Sequence, residues 1–273
     1  MLCRLIIFLL ACASAASAEN SLTADEIMAR VAANQDRAVE LRSRYVYKQH
    51  IHSTSRQTNG KLMREETQDF DMFPRADGTE KKLQSLTGRY WHKGKYDEYH
   101  GEPIPDENSL DATFTHEMLN EHERSKDGIM SHLFPLTTER QKDYEFELLG
   151  QETFQAQSVY RVRFTPRDKK EFDWTGEAYI DAAEFEPVYV FTKPSKKLPF
   201  FVRSVMGINL PGIGFNVQYS RQEEGVWFPQ TFGTEFQINL FHLFRRTVAV
   251  SLKNSEFKKT HADTRIDMPN PTD

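Results

Sequence analysis

The stretch "WTGEAYIDAAEFEPVYVFT", Trp174 to Thr192, decides the fold. Ala178 and Ile180 alternate with polar or aromatic neighbours, as do Val188 and Val190 on the far side of Asp181 to Glu186. A period of two on both sides of a short acidic segment predicts strand, turn, strand. Asp181 suits such a bend because its carboxylate can bond nearby backbone amides.

Working outward, the same period governs most of the chain. Tyr144, Phe146 and Leu148 alternate with Glu145 and Glu147, and Tyr160, Val162 and Phe164 alternate with Arg161 and Arg163. Phe215, Val217 and Tyr219 form another face. Phe232, Phe236, Ile238 and Leu240 follow on a long strand, and Val248, Val250 and Leu252 are expected to close the sheet. Upstream, "YVYKQHIHSTS" puts Tyr45, Tyr47 and Ile51 on one side, and Asn59-Gly60 predicts a tight hairpin into "KLMREETQDFDMF". Leu83 to Tyr99 continues in this manner, with Gly88 and Gly94 read as punctuation.

Helical periodicity is confined to the start and to one insertion. Thr23 and Glu26 have capping-box spacing, and Ile27, Met28, Val31, Ala32, Ala38 and Val39 recur near 3.6 residues. Thr113 to Arg124 reads as a short helix carrying Phe114, Met118 and Leu119, and "GIMSHLFPL" adds a second small apolar face. No repeat, linker or charge block divides the chain. The expectation is one domain over 19–257: a leading helix, roughly ten antiparallel strands, a helical insertion near 104–140, and a polar tail at 258–273. Clean alternation leaves one sheet face solvated. The apolar strand positions exceed what one helix covers, so the sheet must curl or bind something over the remainder.

The first 18 residues have a secretory pattern: Arg4, the apolar run Leu5 to Leu10, and Ala16-Ser17-Ala18 before the expected cleavage point. A rival reading is lipid attachment at Cys12 in Leu9-Leu10-Ala11-Cys12. Both cysteines precede residue 19, so the processed chain would enter an exported, periplasmic compartment without a disulfide. Thiol catalysis and thiolate metal sites are then excluded. The net charge of −5 and the scattered lysines argue against nucleic-acid binding.

One stretch resists the alternating pattern. "LPFFVRSVMGINLPGIGF", Leu198 to Phe215, is strongly apolar in a chain of mean hydropathy −0.64. Arg203, two prolines and three glycines prevent a membrane helix. Phe200, Val202, Met206, Ile208, Leu210, Ile213 and Phe215 are expected at the rim and wall of an apolar pocket.

Chemistry-bearing constellations are weak. His50 and His52 share a strand face, and His116 and His122 are six residues apart rather than the four that put two imidazoles on one helix face. These read as solvated histidines. There is no Gly-x-Ser-x-Gly elbow, no phosphate loop, and Ser204 has no nearby base. The expectation is a protein that is not an enzyme, with no metal and no cofactor.

The exported leader, amphipathic helix, run of strands, helical insertion, Gly176-x-x-x-Ile180-Asp181 with its returning strand, and "GVWFPQTFGTEF" at Gly225 to Phe236 together resemble the LolA-like outer-membrane lipoprotein-sorting superfamily, over roughly residues 20–257. The resemblance implies an unclosed antiparallel β half-barrel with helices over its opening, the Gly176 to Thr192 hairpin in the middle of the sheet, and acyl chains held in the concavity. It implies Tyr160, Val162, Phe164, Ile180, Val188, Phe236 and Ile238 as wall residues, and Phe114, Met118 and Leu119 as lid. The implied partners are an acyl lipid or lipoprotein and a membrane-associated donor or acceptor protein, the carrier being a monomer. The alternative is an envelope structural or sensor protein whose sheet is packed shut and binds a protein partner.

Overall fold

The computed structural model describes residues 22–75, 78–102, 133–169, 173–196, 208–209, 212–240 and 244–260. It opens with helix α1, Ala24–Arg42. Thr23 caps it: its hydroxyl accepts from the Glu26 amide, and the Glu26 carboxylate accepts from the Thr23 amide at 2.8 Å. Both halves of the predicted capping box are therefore made, and two otherwise unpaired amides of the first turn are satisfied.

Strands β1 (Tyr45–Arg56), β2 (Leu62–Arg75), β3 (Gly78–His92) and β4 (Lys95–His100) form a meander. The short helix α2 (Thr138–Gln141) precedes a second meander of β5 (Tyr144–Phe154), β6 (Gln157–Pro166), β7 (Trp174–Asp181) and β8 (Pro187–Pro194). The two-residue β9 (Ile208–Asn209), then β10 (Phe215–Arg221), β11 (Trp227–Leu240) and β12 (Phe244–Lys259) complete one sheet. Its order is β4-β3-β2-β1-β12-β11-β10-β8-β7-β6-β5, with β9 attached to β11. Every pairing is antiparallel, and the edge strands β4 and β5 do not meet. The sheet is an open half-barrel of twelve strands.

Two expectations change here. β12 does not close the sheet. It lies inside it, paired with β1 on one side and β11 on the other, and so joins the two meanders. Long-range pairing of this kind has no local sequence signal. The β7–β8 hairpin likewise lies toward the β5 edge rather than in the middle. The predicted helix at Thr113 to Arg124 lies outside the described residues.

Two glycines show what close approach requires. A Cβ on Gly176 would sit 1.9 Å from the Phe191 carbonyl oxygen, so only glycine lets β8 pass at that point. Gly88, expected to punctuate, instead lies mid-strand in β3, where the Tyr99 ring occupies the space a Cβ would take, at 2.2 Å.

Candidate functional site

The site is built from the inward face of the sheet. Register puts Ile51, Leu252, Phe232 and Val217 side by side on successive strands β1, β12, β11 and β10, with Val190, Ala178 and Val162 continuing the row on β8, β7 and β6. All seven side chains are buried. Flanking rows add Ile180, Val188, Phe164, Phe236 and Val248. Phe215 stacks on Phe232 at 5.6 Å and meets Trp174 edge-on at 5.1 Å. This wall and the apolar side of α1, Ala24, Ile27, Met28 and Val31, form one hydrophobic cluster. Burying each of the three larger helix side chains is worth about 1.5–3 kcal/mol.

All seven implied wall residues point to this face. Val162, Phe164, Ile180, Val188, Phe236 and Ile238 are buried, and Tyr160 is half-buried against the cluster, stacked on Phe185. From the apolar stretch, Phe215 joins the wall and Ile213 packs against it. Ile208 contributes backbone pairing to β11. Phe200, Val202, Met206 and Leu210 lie outside the described residues, as do Phe114, Met118 and Leu119.

Helix α1 is fastened over the wall by polar clamps as well as by apolar contact. The Asn34 amide donates to the carbonyls of Glu184 and Phe185 in the β7–β8 turn, at 2.8 and 3.1 Å. Arg42 is buried, donates to the Trp227 carbonyl at 2.8 Å and to Gln35 Oε1 at 3.0 Å, and lies near the rings of Tyr219 and Phe228. Gln35 in turn donates to Glu186 Oε2 at 2.6 Å. Burial pushes the Glu186 carboxyl up to about 7, although Arg42 and Gln35 pull it the other way. A group that titrates near neutrality thus lies beneath the C-terminal half of the helix.

The inward face changes character on β1 and β2. Continuing the rows across β12 reaches Ser53 beside Val250 and Ser55 beside Val248, then Glu66 and Arg64 on β2. Ser53, Ser55, Arg64, Glu66, Gln68 and Tyr99 are all buried. The Glu66 carboxylate accepts from Gln68 Nε2 and from the Tyr99 hydroxyl, both at 2.6 Å. Arg64 lies 5.9 and 5.8 Å from the rings of Tyr90 and Tyr99. Burial and the neighbouring Glu66 carboxylate raise the Tyr99 phenol well above its ordinary value, so Tyr99 donates as a neutral hydroxyl. The sequence reading missed this cluster. Its signal was the hairpin arithmetic from Asn59-Gly60, which sets Arg64, Glu66 and Gln68 opposite Ser55, Ser53 and Ile51.

The outward face carries the exposed chemistry. His50 Nδ1 lies 2.7 Å from Asp69 Oδ1, and Ser85 donates to Asp69 Oδ2 at 2.7 Å. Asp69 bridges the other two, whereas a nucleophilic triad needs the imidazole in the middle. The Asp181 carboxylate accepts from the amides of Ala183 and Glu184, which assigns it to the turn. Among the described residues no three His, Cys, Asp or Glu side chains could hold a metal ion, and no helix is long and apolar enough to cross a membrane. A groove of about 520 Å³, bordered by Tyr189, Phe191, Lys193 and Glu235, opens along the outward side of β8 and β10.

The fold and this inward face define a helix-covered open half-barrel with an apolar wall. No protein-family model matches the sequence, and no curated protein matches it. Among solved structures the chain is similar to an outer membrane lipoprotein-sorting protein domain from Vibrio parahaemolyticus, at 14% identity and a TM-score of 0.43, covering 88% of this chain and 94% of that one. It is similar to a DUF1329 family protein from Desulfovibrio piger, at 10% identity and a TM-score of 0.43, covering 89% and 95%. A LolA superfamily protein from Nitrosomonas europaea is 12% identical with a TM-score of 0.37, covering 91% and 96%.

Proposed function

We propose that the protein is a non-catalytic carrier, exported to the periplasm, that holds acyl chains of a lipid or lipoprotein against the inward wall of its half-barrel. This is the activity that the sequence resemblance implies. The observation that carries it is the contiguous apolar row from Ile51 on β1 to Val162 on β6, covered at one end by an amphipathic helix rather than by a second sheet. Acyl carbon would replace the contacts of Ile27, Met28 and Val31, at about 0.8 kcal/mol for each methylene buried. Loading requires α1 to give way, and the clamps through Asn34, Gln35 and Arg42 are what must break.

A second reading is favoured by one observation. Val162, Phe164, Ile180 and Val190 are each 0% exposed within the hydrophobic cluster, which suits an envelope scaffold or sensor whose sheet is packed shut and whose partner is a protein. Uptake of a fluorescent long-chain fatty acid separates the two. The carrier transfers energy from Trp174 and Trp227, which lie along the wall, to the bound probe. The scaffold leaves tryptophan emission unchanged at every probe concentration.

A further inference from the structure

We propose that the strand ends and turns at one end of β1–β4, β11 and β12 form a docking rim for an anionic lipid bilayer. This surface stands apart from whatever the wall holds. Register brings its parts together. Gln57 to Lys61 joins β1 to β2, Lys93-Gly94 joins β3 to β4, and Leu240 pairs with Phe244 at the last position of β11 and β12. Pairing of Arg64 with Tyr90 and of Arg56 with Thr247 sets all three ends on the same rim. Six adjacent strands at about 4.8 Å spacing make that rim about 24 Å long.

The rim is cationic. Arg56, Lys61, Lys93, Lys95 and Arg245 occupy its outermost positions, and all but the half-buried Lys61 are exposed. The row Glu98, Arg89, Glu65, Thr54, Ala249, Glu235 crosses the same six strands further in. From that row to the rim, the described residues of these strands and turns add Arg64, Arg89 and Arg246 to the five cations. Against these eight stand four carboxylates, Glu65, Asp97, Glu98 and Glu235. Asp97 bridges Lys95 at 3.0 Å and His92 at 3.1 Å, and Glu65 bridges Arg89 at 2.6 Å. With every carboxylate counted, four positive charges remain in excess, in a chain whose net charge is −5. At the ends of β5, β6 and β7 the same rim is mixed in sign, with Lys142 and Arg167 accompanied by Asp143, Asp168 and Asp173. An anionic surface repels the chain as a whole and attracts its cationic rim, so contact is made rim first.

Aromatic side chains favour a bilayer over a soluble polyanion. Trp91 and Tyr96 pair across β3 and β4, their rings edge-on at 5.1 Å. Lys61 Nζ lies 3.5 Å over the Trp91 ring, and the Arg89 guanidinium lies 5.2 Å over Tyr96. Tyr96 is 38% exposed, one of three large apolar side chains so exposed among the described residues. Indole and phenol rings have an apolar body and a polar edge, so they settle at the head-group level of a membrane. Lysine and arginine beside them there meet lipid phosphates. Lys93 also puts an ammonium at the outermost turn against local preference. Its φ of +47°, before Gly94 at +88°, belongs to a turn position where Asn, Asp or Gly is favoured. Docking in this attitude points the Ile238 to Leu240 end of β11 at the lipid.

The test is co-sedimentation of the exported protein with vesicles of phosphatidylcholine, alone or with about one-third phosphatidylglycerol. Each cation at the rim is worth about fivefold in partition, so the anionic vesicles are expected to bind at least about a hundredfold more tightly at low salt. That preference should fade as sodium chloride approaches about 1 M. Lys93→Gln with Arg245→Gln is expected to weaken binding to the anionic vesicles about twentyfold. Lys82→Gln with Lys258→Gln removes the same net charge from exposed positions toward the opposite end of β3 and β12, and should leave binding within about twofold. Tyr96→Ser should lower the affinity that survives at high salt, which a purely ionic contact would not show. Equal binding to the two vesicle types, or equal losses from the two double variants, overturns the docking rim. Tighter binding of soluble polyglutamate than of the anionic vesicles also overturns it and gives the rim to an acidic protein. All four lysine and arginine positions are exposed, so both double variants are expected to fold and to take up a fluorescent fatty acid as the parent does. Loss of the rim and loss of the carrier reading are thus read separately.

Discussion

Glu186 makes the fastening of α1 dependent on pH, with a definite sign. The side chain lies under the helix, accepts from Gln35 at 2.6 Å, and is pushed from the ordinary 4.5 to about 7 chiefly by burial. A carboxyl whose folded value exceeds its unfolded value binds its proton more tightly in the folded chain. The stabilisation is therefore full below pH 4.5 and is lost as pH rises through about 7. Each tenfold change in proton affinity is worth about 1.4 kcal/mol, so the interval amounts to at most about 3 kcal/mol, less what solvent at the partly open site screens. Glu186→Gln keeps the acceptor for Gln35 but cannot ionise. Urea unfolding of both proteins from pH 4 to 8 should give near-equal stability at the acid end and a variant more stable by about 2–3 kcal/mol at the alkaline end. Parallel pH profiles for the two proteins would refute the assignment, as would a variant weakened equally at every pH.

Four further outcomes follow from the packing. Gly88→Ala should displace the Tyr99 ring from β3 and cost about 1–3 kcal/mol in urea unfolding, with near-ultraviolet circular dichroism reporting the moved tyrosine. Tyr99→Phe removes a donor that holds buried Glu66 and should cost about 1–3 kcal/mol in urea unfolding. Thr23→Ala removes the α1 cap and should cost about 1 kcal/mol, with earlier hydrogen exchange confined to the first helical turn. Phe236→Asp would put an unpaired charge at a site that is 2% exposed, so it should unfold the chain. Phe236→Leu is the informative variant for ligand affinity.

Most of the architecture was legible because two periodicities, 3.6 and 2, report directly on burial. The capping box at Thr23 and Glu26, the helix it starts, and the alternation at Ile180, Val188 and Phe236 all rest on local spacing. Long-range pairing was not legible. That β12 pairs with β1 across some 200 residues is fixed by the summed burial of Ile51, Leu252 and Phe232, and no single segment encodes it. The charged end of the inward face was missed for a different reason. Arg64, Glu66 and Gln68 alternate with Glu65, Thr67 and Asp69, so both faces of β2 look polar and the pattern cannot say which side faces in. Gly88 misled in the same way, since a close approach by Tyr99 and a turn both call for glycine.

Native mass spectrometry of the protein purified after export in a bacterial host tests the central claim most directly. The account predicts bound acyl lipid in near-stoichiometric amount, released by organic extraction and replaced by added long-chain fatty acid. A bare chain that also takes up no added fatty acid, at acid or neutral pH, would contradict it and leave the closed scaffold as the reading of this fold.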